Sequence, residues 1–306
     1  MSWCLSAVAR IARPAMVNTS HRNFQADRIS PELTIPLTCV VLRTPSMLLP
    51  YYEVRAGQGP YALMLHGFLS SRAQWLPNLE ALSTVCRPVV VELFGHGRSP
   101  APDDPYEYAP ERYVEAFERI REALGVADWF VIGQSLGAGL TLRYVLAHPD
   151  RVLAHLVTNS STAFSSMDWV QEVRPGTDKL VALAKRDGAA ALERIAVHPK
   201  NARRLAPEFK QALCTDATRH DPIGAAYTAR YTSLADPIDP ALMKTNQVPT
   251  LLVCGTQEER FVPRRRFAEQ TLPHLEVVEA DAGHAVNLEA PETFNRAAVS
   301  FLQRFA

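Results

Sequence analysis

The chain has 306 residues, 47% apolar and 21% charged, proportions that fit an ordinary globular protein of one large domain or two small ones. Its 32 basic and 32 acidic side chains cancel, which leaves no surplus for nucleic acid or an acidic membrane surface. No apolar run approaches the roughly 18–20 residues that a membrane helix needs.

Residues 1–35 read as an N-terminal tail, disordered or targeting. No acidic residue precedes Asp27, while Arg10, Arg13 and Arg22 are present among several serines. A mitochondrial-type transit peptide has this composition, as does a tail ahead of a second start at Met16. Arg10 and Arg13 interrupt the apolar stretch that secretion would require. The expected location is cytoplasmic, or mitochondrial if the basic segment is a transit peptide.

From there the chain alternates. Thr38 to Val41, Tyr51 to Val54, Tyr61 to Leu65 and Pro88 to Leu93 have the short apolar pattern of strands. Arg72 to Leu82 carries Trp75, Leu76, Leu79 and Leu82 at helical spacing. A helix opens at Pro110, presents Tyr113, Ala116, Phe117, Ile120 and Leu124 on one face, and stops at Gly125. Strands alternating with helices imply parallel βαβ units. Continuous apolar strands such as Val89 to Val91 imply a sheet covered on both faces.

After a strand at Val152 to Thr158, no further strand is predicted until Thr250. The stretch between is helical in composition, at Leu180 to Ala184, Ala189 to Ile195, Glu208 to Leu213 and Ile223 to Leu234. A structureless loop of that length is improbable. Residues 164–247 are therefore expected to form an inserted helical cap on a core made of residues 36–163 and 248–306.

The chemistry centres on Gly133-Gln134-Ser135-Leu136-Gly137, a G-x-S-x-G directly after the apolar run Trp129 to Ile132 and before the helix-compatible Ala138 to Ala147. Strand, tight turn and helix is the context in which a serine is held exposed near a helix N-terminus. Side chains at Gly133 or Gly137 would collide with neighbouring backbone. A serine hydroxyl needs a base to remove its proton, and His284, after the strand-like Leu275 to Glu279 and a glycine, is the candidate. The other histidines sit in the tail, in turns, at a helix end or within a strand. Strand Leu251 to Cys254 runs into an acidic loop, and an acid there would orient the imidazole. Glu258, three residues after Gly255, is the favoured acid; Glu259, four before Pro263, is the alternative; Asp168 is a minor one. The order is serine, acid, histidine. The five cysteines, Cys4, Cys39, Cys86, Cys214 and Cys254, lack metal-ligand spacing and read as reduced thiols.

His66-Gly67-Phe68, Glu92-Leu93-Phe94-Gly95-His96-Gly97-Arg98-Ser99, the G-x-S-x-G turn and Gly283-His284 to Pro291-Glu292 together resemble the motifs of the α/β-hydrolase superfamily, with Glu92 where that family usually has aspartate. From about Leu37 to Ala306 the chain is similar to its serine-nucleophile members. The resemblance implies a mostly parallel sheet with helices on both faces. It further implies an oxyanion hole from the backbone N–H groups of Phe68 and Leu136. The sequence has no G-x-G-x-x-G, P-loop or metal-ligand cluster, so no cofactor and no metal are expected. The activity expected is hydrolysis of a small-molecule carboxylic ester, thioester or lactone. The alternatives are a C–C bond hydrolase, a lyase on the same scaffold, or a ligand-binding protein without catalysis. His66 to Ser70, Trp75 and Glu258-Glu259-Arg260-Phe261 also resemble a lyase of menaquinone biosynthesis, but that family carries an arginine after the elbow where this chain has Gly139. The oligomeric state is not set by the sequence.

Overall fold

The computed structural model describes residues 48–306. The expectations for the N-terminal tail and for a strand at Thr38 to Val41 lie outside the described residues. Among the described residues, seven strands form one sheet: β1 (Tyr52–Val54), β2 (Tyr61–Leu65), β3 (Arg87–Val91), β4 (Trp129–Gly133), β5 (Val152–Thr158), β6 (Thr250–Gly255) and β7 (Leu275–Ala280). Their order is β1-β3-β2-β4-β5-β6-β7. Only the β1 pairing is antiparallel, with Tyr52 opposite Val91; every other neighbouring pair is parallel.

Strand side chains alternate between faces, and here both faces are buried. Ala62 and Met64 of β2, with Phe130 and Ile132 of β4, join one core. Leu63, Leu65, Trp129 and Val131 join the other. The first core is closed by α1 (Leu76–Leu82) and by a C-terminal helix through Phe294, Ala298 and Phe301. The second is closed by α2 (Pro110–Ala123) and α3 (Leu136–Ala147), which contribute Tyr113, Phe117, Ile120, Leu140 and Tyr144. This is the doubly covered, mostly parallel sheet that the apolar strands imply.

Between β5 and β6 the described chain is helical: α4 (Met167–Asp187), α5 (Ala189–Glu193), α6 (Pro207–Ala217), α7 (Pro222–Tyr227) leading into a π-helical turn at Thr228–Thr232, and α8 (Pro240–Met243). Helix α4 begins well before the expected Leu180, because the Ser166 hydroxyl caps it by accepting from the Trp169 N–H at 3.3 Å. Pro175 lies inside it on the exposed side, where the carbonyl it leaves unpaired can reach water. After β6 come α9 (Val262–Thr271), α10 (Val286–Glu289) and α11 (Pro291–Leu302), the C-terminal helix of the first core. Among the described residues, no helix is long and apolar enough to cross a membrane.

Because the strands run parallel, their C-terminal ends share one edge of the sheet, where such sheets place their ligands. Phe68 follows β2, Ser135 follows β4, Glu258 follows β6 and His284 follows β7.

Candidate active site

Ser135 forms the turn between β4 and α3 with φ 51° and ψ −113°. A non-glycine residue in this region is strained and persists only where its surroundings impose it. The surroundings are close backbone approaches. A Cβ on Gly133 would stand 2.5 Å from the Gly137 carbonyl oxygen, and one on Gly137 would stand 2.3 Å from that of Leu65. The turn is also fastened from the side. The Ser160 hydroxyl donates to the Ser135 carbonyl at 2.6 Å and the Thr162 hydroxyl at 3.3 Å.

The ends of β6 and β7 are equally close. A Cβ on Gly255 would lie 2.1 Å from the Gly283 carbonyl oxygen, and the Gln257 N–H donates to the Ala282 carbonyl at 3.0 Å. This brings the acidic loop beside His284. His284 Nε2 lies 2.8 Å from Ser135 Oγ, and its Nδ1 lies 3.0 and 3.1 Å from the two oxygens of Glu258. The other carboxylates weighed from the sequence are elsewhere: Glu259 is exposed at the start of a short turn, and Asp168 is exposed in the first turn of α4.

Glu258 is held by a residue that the sequence analysis did not single out. Asn159, buried directly after β5, donates through Nδ2 to Glu258 at 2.5 Å and accepts the Gly255 N–H at 3.0 Å. Burial pushes the Glu258 carboxyl up, but its hydrogen bonds and charge interaction with His284, helped by Asn159, outweigh this and hold it below its ordinary value. It is therefore an anion at neutral pH.

The Phe68 and Leu136 N–H groups find no acceptor within the described chain. Leu136 opens α3, whose first N–H groups have no intrahelical partner. The turn that carries Phe68 rests on two buried histidines. His66 donates from Nδ1 to the Gly67 carbonyl at 2.8 Å and accepts the Leu93 N–H on Nε2 at 3.0 Å. His96 donates from Nδ1 to the Phe94 carbonyl at 3.0 Å and accepts the Leu69 N–H on Nε2 at 3.2 Å. Each must be neutral to accept, and burial supplies that by lowering His66 to about 4 and His96 well below the usual histidine value. Gln74 completes the support by accepting the Gly67 N–H at 3.0 Å. The sequence signal for this frame is the pair His66-Gly67 and Gly95-His96-Gly97, two histidines beside glycines.

An imidazole between a strained serine and a half-buried carboxylate, on a cavity that also reaches Phe68 and Leu136, can carry out acyl transfer without a metal or cofactor. A family model described as the alpha/beta hydrolase fold matches residues 63–291. The chain belongs to the α/β-hydrolase fold family and is an enzyme of the hydrolase kind. Among its relatives, it is 27% identical over 260 residues to a putative 2-succinyl-6-hydroxy-2,4-cyclohexadiene-1-carboxylate synthase of Bacillus subtilis (strain 168), spanning 81% of this chain and 93% of that protein. It is 26% identical over 253 residues to carboxylesterase YbfK of the same strain, spanning 79% and 80%. The enol-lactonase structure from Burkholderia xenovorans LB400 shares the fold, with a TM-score of 0.69 at 24% identity over 82% of this chain and 95% of that one.

Proposed function

We propose that the chain is a cofactor-independent serine hydrolase of small-molecule carboxylic esters, thioesters or lactones. The observation that carries this reading is His284, bridging Ser135 at 2.8 Å and Glu258 at 3.0 Å. Ser135 Oγ attacks the substrate carbonyl carbon while His284 Nε2 takes its proton. Glu258, ionised, holds the Nδ1–H and stabilises the imidazolium that forms. The carbonyl oxygen becomes an oxyanion between the Phe68 and Leu136 N–H groups, where fixed donors need no reorganisation. The tetrahedral centre collapses, the bond to the leaving oxygen or sulfur breaks, and His284 returns its proton to that atom. Water, deprotonated by His284, then attacks the acyl-serine; the acyl–Oγ bond breaks, His284 returns the proton to Ser135 Oγ, and the acid leaves. In this reading residues 164–247 serve as a cap that shapes the pocket and limits water. The carboxylesterase relative supports the ester assignment.

Labelling with an organofluorophosphonate, read by intact-mass spectrometry and peptide mapping, tests the nucleophile. A single adduct on Ser135 is expected, lost in His284→Ala. Ser135→Ala should remove ester turnover while circular dichroism stays unchanged; undiminished turnover in that variant would end the assignment.

A second reading, a lyase on the same residues, draws on the synthase relative. At the position where the menaquinone-pathway lyases carry arginine, this chain has Gly139, and a Cβ there would already lie 2.7 Å from the Thr162 hydroxyl. Parallel assays with an aryl ester, a vinylogous diketone and the synthase substrate separate ester hydrolysis from C–C chemistry.

A further inference from the structure

Two cavities meet at Ser135. Both reach Phe68, Ser135, Val197 and His284. One, of about 580 Å³, runs under α4 and is walled mostly by apolar groups such as Trp169, Val173, Leu180, Leu183 and Leu234, with Lys179 and the Asp187-paired Arg194 also on its lining. It includes Leu136, whose N–H is one of the proposed oxyanion donors. The other, of about 430 Å³, lies along the loop that carries the histidine, between Gly283, Ala285 and Leu288 on one side and Arg203 and Arg204 on the other. In acyl transfer the imidazole protonates the leaving atom, and we assign the leaving half to the cavity that also follows Gly283 and Ala285 beside that imidazole. The acyl half then occupies the apolar cavity.

The charges of the leaving-side cavity are unequal in their commitments. Glu258 is bonded to His284 and Asn159. Glu289 accepts the Gly283 N–H at 2.8 Å and the Ala285 N–H at 3.2 Å, and pairs with Arg204 at 3.6 Å. Arg203, by contrast, makes no hydrogen bond or ion pair among the described residues. It stands where this cavity joins a groove lined by Arg194, Lys200 and Lys210, with Glu193 as the acid. Of the groove's other cations, Arg194 pairs with Asp187 at 2.9 Å, Lys200 with Glu193 at 2.7 Å, and Lys210 donates to the Ala202 carbonyl at 2.6 Å. The exposed Arg203 is therefore the cation left to meet a ligand, and its guanidinium favours a planar or tetrahedral oxyanion over a neutral group.

We infer that the substrate is an ester or thioester with an apolar acyl half and a leaving half that bears a phosphate or carboxylate, bound by Arg203. The inference rests on Ser135 being the nucleophile. In the step itself, the acyl–oxygen (or acyl–sulfur) bond breaks, the acyl–Ser135 bond forms, and the anionic alcohol or thiol leaves with the proton from His284.

The test compares kcat/KM for octanoyl esters of glycerol, glycerol phosphate and glycerate, each beside its acetyl counterpart. At least one anionic octanoyl ester should exceed the neutral one by about tenfold, and the octanoyl esters should exceed the acetyl esters. The anionic preference should shrink with added salt and vanish or invert in Arg203→Glu. Whichever anionic ester is preferred identifies the group as phosphate or carboxylate. Equal rates on the three octanoyl esters, a preference that survives Arg203→Glu, or acetyl esters as good as octanoyl would overturn the inference. If the neutral ester is still hydrolysed in a Ser135-dependent manner, the substrate inference alone fails. If no ester is turned over and Ser135 resists the fluorophosphonate, the hydrolase reading falls with it.

Discussion

Glu258 and Glu259 are adjacent in sequence, yet only Glu258 meets His284. The sequence narrows the acid to this pair by its loop, and spacing from Gly255 favours the first. The decision is made by Gly255, whose contact with Gly283 sets how the loop leaves β6, and by Asn159, which grips the carboxylate. An asparagine after a strand has many bland uses, and its link to a residue 99 positions away is invisible in one dimension. Glu258→Gln should lower kcat/KM on the order of 10⁴-fold, because the imidazole loses its charged partner and its tautomer. Glu259→Gln should stay within about twofold, as an exposed change does. Steady-state assays of the two variants decide between them, and the reverse pattern would exchange the roles. Of the described cysteines, Cys86 and Cys254 are buried, and burial pushes the Cys86 thiol up to about 12 and raises that of Cys254, which keeps both protonated.

At the scale of elements, strand positions were legible because apolar runs and glycines mark them, and β2, β4, β5, β6 and β7 lie where the pattern put them. Helices α9 and α11 went unassigned, although Phe294, Ala298, Phe301 and Leu302 repeat at helical spacing after Pro291. Glu289 shows what an element end can do beyond packing. Its carboxylate, at the end of α10, accepts N–H groups from the residues on either side of His284, so it fixes the loop that presents the imidazole. Removing it strands two N–H groups, each hydrogen bond to a charged group being worth about 1.5–3 kcal/mol. Glu289→Ala should therefore lower kcat/KM about tenfold or more, with partial recovery in Glu289→Gln, which keeps one acceptor oxygen. Activity of Glu289→Ala within twofold of the parent would remove the positioning role.

Across the whole molecule, buried histidines tie stability to pH. His66 and His220 are lowered to about 4 and His155 to about 3, chiefly by burial, and His96 and His198 are lowered as well. The unfolded chain protonates such groups near pH 6.5. As pH falls below that value the unfolded state binds more protons, so the stability that neutral histidines provide is complete above about 6.5 and is lost toward 4. His66, His155 and His220 each contribute up to about 1.4 kcal/mol per pH unit in that window. Glu92, buried against the Arg72 and Arg98 N–H groups, acts with the opposite sign, since burial raises its carboxyl. The histidines outnumber it. The urea midpoint should fall between pH 7 and pH 5; a flat midpoint over that range would refute the linkage. The same region ties the segment between β5 and β6 to the sheet, through Ser71 donating to Asp216 at 2.9 Å and the Gly97 N–H donating to His220 at 2.9 Å.

The sequence by itself determined the covered parallel sheet, the tight turn at Ser135 and the chain order of Ser135, the Glu258-Glu259 loop and His284, because these depend on period, glycine placement and chain direction, all local quantities. Only the tertiary structure set Glu258 against His284, brought in Asn159 and Glu289, placed His66 and His96 under the Phe68 turn, and left Arg203 without a polar partner among the described residues beside the cavity along the His284 loop. Those outcomes depend on which side chains meet across long stretches of chain, and packing alone decides that.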